Sequence, residues 1–244
     1  MQKQAKKWKL KYSIMSIYAI SDLHLSFSNP KPMDVFGDHW KDHHIKIIYN
    51  WDKYISDDDT VLLCGDHSWA IDIYDAAEDI DFICQRPGKK ILIRGNHDYW
   101  WRRASTNKIQ KQICSSITLL QGRYVVVDNI AIAGTRGWRL GEYDDREDSS
   151  DTHKIFNREL SYLEKALQDI PSNVDKKIVM LHYPPFNDDL QFNEFDELIR
   201  AYKADIVVYG HLHSGRYING KVNGVTYLLT SADFLDFMPV LVVP

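Results

Sequence analysis

Ile17-Tyr18-Ala19-Ile20, followed at once by Ser21-Asp22-Leu23-His24, sets the pattern on which the whole chain turns. Four apolar residues in a row suit a short strand buried on both faces. The run stops at a carboxylate and an imidazole two residues apart, and in extended backbone residues i and i+2 point the same way. Asp22 and His24 can therefore aim at one point, where an oxygen and a nitrogen donor together suit a divalent cation. The design returns further along the chain. Val61-Leu62-Leu63-Cys64 ends at Gly65-Asp66, and Ile91-Leu92-Ile93 ends just before Asn96-His97-Asp98. Ile178-Val179-Met180-Leu181 ends at His182, and Ile206-Val207-Val208-Tyr209 leads into His211 and His213.

Each fragment alone reads equally well as a strand ended by a polar residue. Together they place metal-competent side chains on one set of strand ends, and in helix-covered sheets function gathers beyond the carboxyl ends of the strands. The intervening stretches support such sheets. Helical spacing runs over 40–55, with Ile45, Ile48, Trp51 and Ile55 available to one face, and again over 73–85, 102–113 and 152–170. Pro30 and Pro32 keep 26–37 out of regular structure, and Pro87-Gly88 stops the second helix. Short apolar runs at 117–120, 124–127 and 130–133, joined by Gln121-Gly122 and Asp128-Asn129, predict an antiparallel meander. An acidic loop fills 141–151, and 225–229 and 240–243 add two last strands. Fully apolar strands alternating with helices predict an α/β (α+β) chain whose sheets are covered by helices.

At 244 residues, with 44% hydrophobic and 26% charged residues, the chain has ordinary globular make-up. Residues 14–244 read as one domain, because no linker, repeat or low-complexity segment divides them. Residues 1–13, rich in Lys and Gln and without an apolar core, read as a flexible basic extension and not as a secretory signal. A net charge of −4 supplies no general attraction for nucleic acid. No apolar run approaches the ~20 residues a membrane span needs. Cys64, Cys84 and Cys114 match no CxxC pattern, so reduced thiols in a cytoplasmic protein are expected.

Taken in order, Asp22-Leu23-His24, Gly65-Asp66, Gly95-Asn96-His97-Asp98, Leu181-His182-Tyr183-Pro184-Pro185 and Gly210-His211-Leu212-His213 resemble the signature of the calcineurin-like metallophosphoesterases. Stretches beginning at Lys31 (KPMDVFG), Gly95 (GNHDYWW), Gly134 (GTRGW) and Ser231 (SADFLDF) are similar to a bacterial subgroup of predicted phosphohydrolases. The resemblance implies a four-layer αββα sandwich, two mixed β-sheets flanked by helices, with a two-metal site at the strand ends. By motif, one divalent ion takes Asp22, His24 and His213, the other takes Asn96, His182 and His211, and Asp66 bridges them. Two dications exceed the charge of the two carboxylates, Asp22 and Asp66, which leaves the site suited to an anionic substrate. Nitrogen and oxygen donors without thiolate suit Mn²⁺, Fe, Zn²⁺ or Ni²⁺. The implied reaction is attack on phosphorus by a hydroxide bridging the ions, with phosphodiesters and phosphomonoesters both open. His97 is expected either to protonate the leaving group or to stabilise charge in the transition state, with Asp98 orienting its ring.

Departures from the family pattern narrow the substrate. Its protein phosphatases carry GDxxDRG, whereas residues 65–70 here read GDHSWA. Trp69 stands where the second Asp would be, which disfavours a protein phosphatase. His67 occupies a generally apolar position and reads as an extra ligand, a proton carrier or a satisfied polar residue. Arg136, Trp138 and Arg139 follow a strand end and suit phosphate contact and base stacking, or a loop with a packed Trp. Tyr99-Trp100-Trp101 reads as core or pocket wall, and Asp38, His39, His43 and His44 as a solvated helix start. A small phosphate ester is the expected partner. A metal-dependent nuclease and a catalytically weak metal-binding scaffold are the competing readings.

Overall fold

The computed structural model describes residues 15–102, 105–140 and 152–244, so the basic extension and the acidic loop lie outside the described residues. The opening run forms β1 (Ile17–Ala19), parallel to β2 (Thr60–Leu63), which is parallel to β3 (Lys89–Leu92), itself parallel to β4 (Ile117–Leu119). A second sheet contains β5 (Arg123–Val127), β6 (Ile130–Thr135), β7 (Lys176–Leu181), β8 (Ile206–Tyr209), β9 (Gly220–Val222) and β10 (Val225–Leu229), in the order β5-β6-β7-β8-β10-β9. Its inner strands are parallel, and β5 and β9 run antiparallel at its edges. β11 (Val240–Val243) returns to the first sheet and pairs antiparallel with β1. Both sheets are therefore mixed.

The apolar strands bury both faces, as their composition requires. Ile17, Ala19, Leu62, Cys64, Ile91 and Ile93 meet Ile132, Ile178, Met180 and Val208 between the sheets. The outer face of the first sheet, with Val61, Leu63 and Leu92, packs on Ile47 and Trp51 of α1 (His43–Tyr54) and on Ile80 and Ile83 of α2 (Ala77–Cys84). Two short helices follow β3, α3 (Tyr99–Arg102) and α4 (Thr106–Gln110). The outer face of the second sheet packs on α5 (Thr152–Gln168), through Phe156 and Leu163, and on α6 (Glu194–Ala201), through Phe195 and Ile199. Burial of each such side chain contributes about 1.5–3 kcal/mol. The result is the expected four layers, helix, sheet, sheet, helix.

Register explains why distant residues meet. Ala19 pairs with Leu62 and Leu63 with Leu92, so the chain leaves β1, β2 and β3 at one edge. Leu181 pairs with Tyr209, so β7 and β8 also end together. Four expectations need correction. β4 is no part of the meander, because it pairs with β3 in the other sheet, and Leu120 packs between the sheets. Only β5 and β6 form the antiparallel pair. The helix read over 102–113 is two short pieces, with 103–104 outside the described residues. α6 went unread, although Asn193 caps it through Phe195 N (3.0 Å) and Phe195, Leu198 and Ile199 recur at helical spacing. Finally, Cys84 and Cys114 form a disulfide, and only Cys64 is a free, buried thiol. The end of α2 and the approach to β4 converge in space, which no spacing rule reveals.

Candidate metal centre

The loops after β1, β2, β3, β7 and β8 bring the predicted donors together. Asp22, His24 and His213 place one donor atom each within 4.8 Å of one another, and so do Asp22, Asp66 and His182. Asp66 Oδ2 stands between the groups, 3.9 Å from His24 Nε2, 3.6 Å from His182 Nε2 and 4.0 Å from His97 Nε2. Asn96 Oδ1 lies 2.6 Å from His182 Nε2. His211 stands outside both groups, its ring against those of His182 (5.1 Å between centroids) and Tyr183 (4.3 Å).

The backbone is bent to achieve this. Asp22, His24, Asp66 and His211 all have positive φ, between 47° and 71°. Non-glycine residues in that region cost about 1–2 kcal/mol each and gather where function over-determines the geometry. Glycines permit the close approach. A Cβ on Gly95 would come within 2.0 Å of Asp66 Oδ1, and one on Gly210 within 2.4 Å of Asp22 Oδ2.

Hydrogen bonds fix which atoms are left for a cation. His182 Nδ1 is 2.8 Å from the Cys64 carbonyl, which can only accept, so this nitrogen carries the proton and the Nε2 lone pair turns to Asn96 and Asp66. His213 Nδ1 lies 2.9 Å from Asp233 Oδ1, and in the neutral ring the same logic turns its bare Nε2 to His24 Nε2, 3.3 Å away. Asp22 accepts from Ser21 Oγ (2.7 Å), Ser231 Oγ (3.0 Å) and the His211 amide, which hold its plane. Burial, with Asp22 and Asp98 nearby, raises the Asp66 carboxyl well above its usual range, against the pull of Arg136. Burial also raises Asp22 and, with neighbouring rings, lowers His24 and His182 well below the imidazole range. Buried carboxylates facing neutral imidazole lone pairs are the donor set a divalent ion fits.

Other predicted residues fall differently. His97 is 32% exposed on the side chain, and its Nδ1 lies 3.1 Å from the Tyr99 hydroxyl. Burial first, then the His211 ring, pushes its pKa down to about 4. Asp98 does not orient His97. It is buried, accepting from the amides of Asp66 (2.9 Å), His67 (2.9 Å), Gly95 (2.8 Å) and Ser68 (3.3 Å), from Trp100 Nε1 (2.9 Å) and from His67 Nδ1 (2.9 Å). Burial raises this carboxyl, but the His67 ring and the amide donors outweigh it and hold it well below its usual range. His67 is thus the partner of Asp98, and among the described residues it belongs to neither group of candidate metal donors. Arg136 and Trp138 are buried, with the guanidinium 4.6 Å from the Trp138 ring and Trp138 edge-on to Tyr183, so Trp138 offers no stacking face. Arg139 pairs with Asp188 at 2.7 Å. Trp100 and Trp101 are core, and His43 is buried against Trp40. Asp233, Ser231 and Tyr99, which meet His213, Asp22 and His97, were missed as functional residues; Asp233 and Ser231 act on residues distant in sequence, and Tyr99, two residues from His97, read as core or pocket wall.

A family model described as calcineurin-like phosphoesterase matches residues 15–215. A stretch of 78 residues is 33% identical to the Gene 66 protein of Mycobacterium phage L5, covering 32% of this chain and 37% of that protein, so the match spans little over a third of that relative. Phosphopantetheinyl hydrolase from Mycobacterium tuberculosis superposes with a TM-score of 0.60 at 15% identity, covering 94% of this chain and 96% of that one. A protein of unknown function from Aquifex aeolicus superposes with a TM-score of 0.51 at 18% identity, covering 93% and 95%. At such identities these two structures speak for the fold. Among the described residues no helix is long and apolar enough to cross a membrane.

Proposed function

The chain belongs to the calcineurin-like phosphoesterase family, and from that premise we propose that it is a metal-dependent phosphohydrolase, acting on small phosphate esters at a centre of two divalent ions. One ion would sit on Asp22, His24 and His213, the other on Asn96, His182 and His211, with Asp66 shared. The observation that supports this reading best is the position of Asp66 Oδ2 within 4.0 Å of Nε2 atoms from both sides of the site. The absence of thiolate among these donors suits Mn²⁺, Fe, Zn²⁺ or Ni²⁺. Bound there, the ions would supply an activated water and withdraw charge from a phosphoryl oxygen.

The remaining work belongs to the chain. In hydrolysis a water oxygen bonds to phosphorus, the bond from phosphorus to the ester oxygen breaks, and the released alcohol gains a proton that derives from water. His97 faces this event as a neutral ring. In the tautomer whose Nδ1 accepts from the Tyr99 hydroxyl, the ring proton sits on Nε2, the atom turned to Asp66, and this is the tautomer the proposal uses. His97 thus acts as a hydrogen-bond donor to developing charge, the second of the two roles its motif implies. The cavity beside the site is lined mainly by apolar and histidine side chains with Ser214 and Asp233, and one ammonium, Lys31, lies over its Trp69 wall, which is too little positive charge to make a track for a polynucleotide.

The test is turnover of p-nitrophenyl phosphate and bis-p-nitrophenyl phosphate with added Mn²⁺. His97→Ala should lose about 10²-fold or more in kcat while keeping its metal. Equal rates in wild type and variant would remove His97 from the mechanism. No turnover of either ester with any of the four metals would remove the function.

A further inference from the structure

A cavity of about 360 Å³ opens beside the metal donors. Its floor is made by His24, His97 and His213, so it begins at the residue that faces the departing ester oxygen. Its walls come from elsewhere, namely Met33, Phe36 and Trp40 on the segment between β1 and α1, and Trp69 after β2. These walls are built before any ligand arrives. Met33 and Trp40 are buried, Trp40 is edge-on to Phe237 at 5.2 Å, and Trp69 Nε1 donates to Met33 Sδ at 3.3 Å. Phe36 forms the lip and is 61% exposed, an apolar ring presented at the entrance of an apolar cavity. The one carboxylate in the lining, Asp233, is engaged by His213, and the Lys31 ammonium lies over the Trp69 wall, 3.4 Å from the ring centroid.

We propose that this cavity receives the alcohol of the ester and selects leaving groups that are flat and apolar, of aryl or benzyl size, with Met33, Phe36 and Trp40 as specificity determinants. The inference rests on the phosphate-ester reading of the site. A pocket of this volume falls in the range that encloses small ligands, and its apolar walls supply affinity while the metal donors fix the phosphorus end.

Benzyl and ethyl phosphate test this, each offered as the monoester and as the methyl diester to the metal-loaded protein. The two alcohols are nearly equal in acidity, so the ratio of their kcat/KM values reads the cavity and not the chemistry. The ratio should favour benzyl about 10–100-fold in the wild type. It should fall several-fold in Phe36→Ala, whose exposed ring leaves the core untouched, and in Met33→Ala, with far-UV circular dichroism confirming the fold of both. A wild-type ratio near one, or a ratio unmoved in both variants, overturns the proposal while hydrolysis of both esters keeps the site reading intact. Hydrolysis of neither ester overturns the site reading and the proposal with it.

Discussion

Replacing Asp98 by Asn tests the most heavily bonded side chain in the site. Its Oδ2 accepts from the amides of Asp66 and Gly95 and from His67 Nδ1, and its Oδ1 from the amides of His67 and Ser68 and from Trp100 Nε1. An amide NH₂ in place of either oxygen would confront three N–H donors with a fourth. A buried donor left unsatisfied costs about 1–3 kcal/mol, so three come to about 3–9 kcal/mol, and relaxation recovers part of that, leaving a loss of about 3–5 kcal/mol. That is a large share of the roughly 5–15 kcal/mol that holds a domain of ordinary stability. The assay is equilibrium urea unfolding of the metal-free protein at neutral pH, followed by circular dichroism. If Asp98 instead served to orient His97, the variant would lose turnover and keep its stability. A stability loss under about 1 kcal/mol would refute the reasoning, because six well-placed donors would then be worth almost nothing.

Asp233→Ala should weaken metal affinity about 10–100-fold, measured by titration with Mn²⁺, since it frees the His213 ring to turn; unchanged affinity would deny the carboxylate that role. Lys90 is 1% exposed, and burial, with Arg86 nearby, pushes its amine down to about 8. The unfolded amine titrates near about 10.4, so between those values the unfolded chain binds more protons and stability rises with pH, the penalty being full below pH 8. Relative to Lys90→Met, the wild type should gain up to about 3 kcal/mol between pH 7 and pH 10 in urea unfolding; a gap independent of pH would show the amine to be solvated. Thiol titration of the denatured, unreduced protein should find Cys64 alone; all three cysteines reacting would mean that Cys84 and Cys114 are open.

Much of the candidate site was legible because each strand and the candidate donor after it are adjacent in the chain. An apolar run of four residues announces a buried strand, and Asp22, Asp66, Asn96, His182 and His211 follow such runs within a few residues. What stayed hidden depends on contacts between segments. Asp98 sits next to His97 in sequence but belongs to the loop after β2, through His67 and three amides there. Tyr99, two residues from His97, holds the ring that Asp98 was expected to hold. Arg136 and Trp138 read as open to a phosphate or a base, or as a loop with a packed Trp, because they follow a strand end; the packed Trp is what the structure has, with Trp138 edge-on to Tyr183 and both residues buried. Strand β4 was misplaced because a short turn says that two strands are close in sequence and not which sheet each one joins.

Metal content tests the centre itself most directly. After dialysis against Mn²⁺ and removal of free ions, the wild-type chain should carry two ions by elemental analysis, and Asp66→Ala/His182→Ala should carry neither while keeping its circular dichroism spectrum. A folded double variant that retains as much metal as the wild type would contradict the placement of both ions.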